Sequence, residues 1–251
     1  MGNFDLLDLL PFIGAGFAAQ LVDGSLGMAF GVISNMLLIS LGVAPAAASA
    51  GVHTVESFTT CVSGISHIIH RNVDWKLLAR LTLPGMIGAA TGAYLLTQVD
   101  GGTAKPFVLA YLSLIGIFLV WRGLRYPPEH KPPRVIEPLG LVGGFLDAAG
   151  GGGWGPIVTG NLLAQGADPR KTIGTVNTAE FLVTVTSALT FIVALGIKAF
   201  TVATLGLLIG GVIAAPFGAW LVKRIPAKPL LVMVGILLSL TSAYGIYRVL
   251  A

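Results

Sequence analysis

Charge is what this sequence has least of: Asp, Glu, Lys and Arg make up 10% of its 251 residues, against 55% hydrophobic residues and a mean hydropathy of +0.86. A soluble globule is about one-quarter charged, so water is not the solvent this chain is built for. Cysteine is nearly absent. Cys61 alone cannot close an intrachain disulfide, and the sequence has no CxxC, HExxH or Cys/His cluster that would hold a metal or a redox centre. No cofactor is expected. No nucleophile and base stand in a recognisable pairing, which argues against an enzyme. The net charge of +4 is spread between apolar segments instead of along one arm or helix face, which argues against a nucleic-acid partner. Met1–Asp8 carries Asp5 and Asp8 and no Lys or Arg, so the first segment does not read as a cleaved signal peptide.

What is present is long apolar runs. Leu81–Val99, Pro106–Val120, Leu182–Ile197 and Phe200–Leu221 are free of charge, and a helix crossing a bilayer core needs about 20 such residues. The expected fold class is an all-α polytopic membrane protein.

The chain also matches itself. A shift of 124 residues (147 minus 23) sets Asp23-Gly-Ser-Leu-Gly27-Met-Ala-Phe-Gly31 on Asp147-Ala-Ala-Gly-Gly151-Gly-Gly-Trp-Gly155, then Pro45 on Pro169, Thr54 on Thr178 and Glu56 on Glu180. Two units are expected, 1–123 and 137–251, with the basic, Pro-rich stretch 124–136 as a linker between them. Each unit reads as an interrupted apolar stretch (about 9–41 and 139–165) followed by three spanning helices: about 46–69, 77–97 and 106–121, answered by about 172–195, 201–222 and 229–247. As helix, the interrupted stretches would total roughly 50 and 40 Å, too little for two crossings of a core about 30 Å thick. The glycine run Gly150–Gly153 also opposes one straight crossing. A re-entrant hairpin of two half-helices is the remaining option.

Positive charge distinguishes the topologies, because cytoplasmic loops carry the excess of Lys and Arg. With re-entrant stretches the second unit is inverted. Arg71, Lys76, Arg80, Arg122, Arg125, Lys131, Arg134, Arg170, Lys171, Lys223, Arg224 and Lys228 then share one side against Lys105, Lys198 and Arg248, which is 12 to 3. Parallel units would split the same residues 9 to 6. The inverted arrangement is expected, with the linker cytoplasmic.

Paired discontinuous helices are the sequence pointer to a transporter's site, since unwound backbone is tolerated in a membrane only where it lines a cavity or packs on protein. The candidate site residues are Asp23, Gly24, Ser25 and Gly27 in the first break and Asp147, Gly150, Gly151, Gly152, Gly153 and Trp154 in the second. The next helices add His53, Thr54 and Glu56, and Asn177, Thr178 and Glu180. A second half-helix starting near Gly27 or Gly153 would aim its free N–H groups and positive dipole end at the membrane centre, which suits an anion. A plainer reading has Asp23 and Asp147 as helix caps and the glycines as packing contacts. Mid-helix carboxylates are costly in a membrane; beside an anion, Asp23, Asp147, Glu56 or Glu180 would have to carry a proton. Trp154 could gate the cavity, whereas Trp75, Trp121 and Trp220 read as interfacial or packing aromatics.

With Gly16-Phe-Ala-Ala-Gln-Leu-Val-Asp-Gly24, its counterpart Gly143-Gly-Phe-Leu-Asp-Ala-Ala-Gly-Gly-Gly-Gly-Trp-Gly155, and Pro169-Arg-Lys with Thr178-Ala-Glu180, the chain resembles the TauE/SafE family of sulfite and organosulfonate exporters along nearly its whole length. The resemblance implies secondary transport of a small sulfur-containing anion, such as sulfite or sulfoacetate, across the bacterial inner membrane. The proton is the expected coupling ion and the bilayer the expected surroundings; a homodimer stays open. The alternatives are a passive anion channel, a metal-cation carrier using Asp23, His53, Glu56, Asp147 and Glu180, and an assembly subunit. The first copy departs from the second, with Asp23-Gly-Ser-Leu-Gly27 where the second has a glycine run and His53 where it has Asn177.

Overall fold

The computed structural model describes residues 9–26, 28, 30–125, 133–165, 167–196, 202–221 and 227–250. All regular elements among them are helical: α1 Leu10–Leu26, α2 Phe30–Ser40, α3 Pro45–Ile69, α4 Trp75–Gln98, α5 Gly101–Leu124, α6 Glu137–Gly150, a π-helical turn Gly155–Thr159 running into α7 Gly160–Ala164, then α8 Pro169–Leu195, α9 Val202–Leu221 and α10 Ala227–Leu250.

The long helices fall where hydropathy places them, but α4, α5 and α8 begin earlier, because capping residues extend them. Asp74 accepts the amides of Lys76 and Leu77, Asp100 those of Gly102 and Thr103, and Asp168 that of Lys171. These carboxylates satisfy N–H groups that the first turn leaves unpaired. Helix α5 therefore starts at Gly101, and Pro106 lies inside its first turns instead of opening it.

Two of the six expected spans, Gly101–Trp121 and Lys171–Leu195, are long and apolar enough to cross a membrane by themselves among the described residues. Helices α3 and α4 reach 25 and 24 residues, but α3 carries His53, Glu56 and a series of Ser and Thr that dilute its hydropathy. Those polar groups point inward, with Ser49, His53, Glu56, Thr59 and Thr60 all buried. The outer surface is apolar instead, as with Val193 at 87% exposed and Leu83 at 66%. Polar inside and apolar outside is the arrangement a lipid solvent selects. Trp75 and Trp121 are exposed, whereas Trp154 is fully buried.

Helix pairing crosses between the two halves of the chain. Helix α1 packs along α9 and α6 along α4, while α3 packs on α8 and α5 on α10. The first two pairings have the same close contact: a Cβ at Gly140 would meet the Leu81 carbonyl at 2.7 Å, and one at Gly16 would run into the Leu207 carbonyl. Helices α3 and α8 run antiparallel, since Asn72 touches Gly174 while Ser63 bonds Asn177. At their shared end Lys171 Nζ donates to the carbonyls of Arg71 at 2.9 Å and Val73 at 3.3 Å. Gln165, just after α7, accepts the amides of Arg134 at 2.9 Å and Val135 at 3.2 Å, just before α6. The interrupted segment α6–α7 thus begins and ends at one place.

Candidate functional site

The helices on either side of the two breaks are short. Helices α1, α2 and α6 have 17, 11 and 14 residues, or roughly 26, 17 and 21 Å, each less than a bilayer core of about 30 Å. Both breaks fall later than the Asp/Gly clusters suggest. Helix α1 continues through Asp23, Gly24 and Ser25 to Leu26, and α6 continues through Asp147 to Gly150; Gly27 lies outside the described residues.

The physical reason is a bond that spans each gap. Asp147 Oδ1 accepts the Trp154 amide at 2.8 Å, seven residues on, and Asp23 Oδ1 accepts the Phe30 amide at 3.3 Å, again seven residues on. Each carboxylate sits in the last turn of one half-helix and caps the first amide of the next. The positive end of each second half-helix is therefore already capped by a side-chain oxygen of the protein itself.

In the second break, Gly151 ends α6 in the left-handed conformation (φ 75°), and its amide and that of Gly152 both return to the Asp147 carbonyl. Gly152 (φ 129°) has no room for a side chain: a Cβ would be 2.8 Å from Gly31 Cα and closer still to neighbouring backbone atoms of Gly31 and Val32. The two breaks touch at this point. After it, Trp154 leads into the π-helical turn, where the Gly160 amide reaches back to the Gly155 carbonyl.

The carbonyls left over at the end of α6 are met by side chains from the first half of the chain. Ser49 Oγ donates to Ala148 O at 2.8 Å, Asn35 Nδ2 to Gly150 O at 3.1 Å, and Tyr111 Oη to Gly152 O at 3.1 Å. Sequence reasoning passed over all three. Their signal was faint: a lone amide in α2, and a tyrosine in the middle of a long apolar span.

His53 ties the site together. Its Nδ1 lies 2.8 Å from the Ser49 carbonyl and its Nε2 lies 3.0 Å from Asp147 Oδ2. Both ring nitrogens face acceptors, so Nδ1 carries a hydrogen and one further proton lies between Nε2 and the carboxylate. Asn177, the matching residue, makes the same backward bond, Nδ2 to Ile173 O at 3.0 Å, but its Oδ1 accepts the Ser63 hydroxyl at 3.4 Å. Thr54 and Thr178 each return the hydroxyl to the carbonyl four residues earlier, at 2.8 and 2.7 Å.

Glu56 and Glu180 are buried at 4% and 8% exposure. Glu56 Oε1 stands where a Cβ on Gly31 would meet it at 2.8 Å, and Oε2 finds no partner among the described residues. Glu180 lies within the electrostatic reach of Glu56, Asp23 and Asp147. The structure thus brings Asp23, His53, Glu56, Asp147, Gly151, Gly152 and Glu180 to one region. Trp154 is wholly buried: its ring packs against Gly85 and Gly143, and Nε1 donates to Val176 O at 3.2 Å. No three His, Cys, Asp or Glu side chains among the described residues converge as metal ligands.

An all-helical bundle with an apolar exterior, buried acidic groups and two facing helix breaks has the build of a membrane transporter, and the comparisons with known proteins agree. The chain belongs to the sulfite exporter TauE/SafE family, whose model matches residues 12–245. It is 43% identical over 244 residues to the probable membrane transporter protein YtnM of Bacillus subtilis (strain 168), covering 94% of this chain and 81% of that protein. No solved structure matches. The chain is a transporter and not an enzyme.

Proposed function

We propose that the chain is a secondary transporter that exports a small sulfur-containing anion, such as sulfite or an organosulfonate, across the bacterial inner membrane in exchange with protons. The observation that carries this reading is the repeated capping bond, Asp23 to Phe30 and Asp147 to Trp154, at two breaks that touch each other. Each break has main-chain amides arranged for a negative charge, and each is occupied by a carboxylate of the protein itself. An external anion competes for that place once the carboxylate takes a proton, and the proton between His53 Nε2 and Asp147 Oδ2 is the nearest supply. Asp23, Gly150–Gly153, Asn177 and Thr178 form the surrounding walls in this reading, and Glu56 and Glu180 relay protons.

The inverted-repeat architecture belongs to the same proposal: units 1–123 and 137–251, each a re-entrant hairpin followed by three spanning helices, with 124–136 as a cytoplasmic linker. It is supported by the antiparallel run of α3 against α8 and by Gln165, which ties the exit of the second hairpin to its entry. The 12-to-3 division of basic residues supports the side.

The test is counterflow of radiolabelled sulfite in liposomes containing the purified protein, with and without an imposed pH gradient. The proposal expects saturable flux that the gradient drives, and loss of that drive in Asp147→Asn. Ohmic conductance without saturation would make the protein a channel; flux of divalent metal in place of sulfite would overturn the anion reading.

A further inference from the structure

A cavity of about 360 Å³ backs onto the second break, between the last turns of α4, the first half of α5 and the end of α6. Leu96, Ala104, Val108, Leu146 and Ala149 line it, together with Tyr111 and Gly150 of the second break. No charged residue is among its walls. The wall residues Leu95, Val99 and Phe107 are 49%, 45% and 70% exposed on the outside of the bundle.

From this geometry we infer that the cavity is a binding site for one acyl chain of a phospholipid, taken from the leaflet on the side of the α4–α5 connection. Three observations argue for this occupant. The cavity opens where the bundle presents apolar side chains, a surface that in a membrane protein is covered by lipid. Its depth fits: Tyr111 is ten residues beyond the start of α5 at Gly101, roughly 15 Å along the helix, which is half of a core about 30 Å thick and so the reach of a single leaflet. The charge at the rim fits as well, because Lys105, adjacent to the wall residue Ala104, lies in the first turns of α5 at the level of an anionic headgroup. A chain seated there ends against Tyr111, whose hydroxyl holds the Gly152 carbonyl, so the lipid reaches the second break from behind.

The experiment is photo-crosslinking in liposomes of the full-length protein with phosphatidylglycerol carrying a diazirine near the end of one acyl chain, mapped by peptide mass spectrometry. The expected result is label concentrated on the peptides holding Tyr111 and Leu146–Gly150, several-fold above lipid-facing peptides such as that around Val193, and lost in Ala149→Trp. Leu96→Phe serves as a second, milder filling variant should the first fail to fold. Label spread evenly over all exposed faces would overturn the site. Displacement of the label by hexanesulfonate at constant lipid would overturn the occupant, assigning the cavity to the body of a transported anion instead.

Discussion

His53 and Asp147 stand 94 residues apart in sequence and 3.0 Å apart in space, both wholly enclosed, one on a helix of the first half and the other in the last turn of a broken helix of the second. This contact crosses the seam between the halves, and several consequences follow from its burial.

Removing one partner leaves a buried polar group without its complement, which costs about 3–5 kcal/mol for a buried pair. His53→Ala and Asp147→Ala should each lower thermal stability in detergent by an amount of that order. The double variant should lose clearly less than the two single losses added together. Losses that add within about 0.5 kcal/mol would mean that the two residues act independently.

A surface pair gives the contrast. Arg80 and Glu137 form a two-pronged ion pair between α4 and the start of α6, with side chains 38% and 48% exposed. Exposed pairs are worth about 0–1 kcal/mol, so Glu137→Gln should leave the unfolding midpoint nearly unchanged. A large loss would mean that this contact clamps the start of α6 onto α4.

Glu180→Gln should keep the protein folded and its sulfite exchange measurable while abolishing the stimulation by a pH gradient. Unchanged stimulation in that variant removes Glu180 from proton coupling, and Glu56→Gln then becomes the next residue to test.

Two glycines differ in what they can bear. Gly14 is exposed on α1 with nothing within 4 Å of an added Cβ, so Gly14→Ala should be neutral or stabilising by up to about 1 kcal/mol. Gly152→Ala meets both an unfavourable φ, worth about 1–3 kcal/mol, and the backbone of Gly31 and Val32. It should reduce both stability and flux; normal behaviour would mean that the breaks are not in contact.

Topology is tested by labelling. In a Cys61→Ala background, thiol reagents that do not cross membranes should reach Arg71→Cys and Lys171→Cys from one side and Gly102→Cys from the other. Labelling of the first two from opposite sides would end the inverted-repeat reading.

The all-helical membrane character could be read in the sequence, for a physical reason: a bilayer forces long apolar runs. The helix limits differed by a few residues where Asp74, Asp100 and Asp168 add a capped turn. Where the breaks fall was less legible, because the Asp/Gly clusters mark the residues that bridge the gaps and not the gaps themselves. The partners of the second break were least legible of all. Asn35, Ser49 and Tyr111 meet it only through packing between distant segments, and nothing local in their sequence announces that. Trp154, set among glycines, read as a cavity residue; its indole is instead held in the core by Gly85 and the Val176 carbonyl.

The replacement of a second histidine by Asn177 has a practical corollary for any reconstitution. Because Asn177 answers Ser63 while His53 answers Asp147, the two halves are chemically unlike, and a molecule inserted upside down in a vesicle does not present the same groups to the same two solutions. Preparations with randomly oriented molecules would average two unlike machines, so rates are interpretable only where the insertion direction has been fixed or one population silenced.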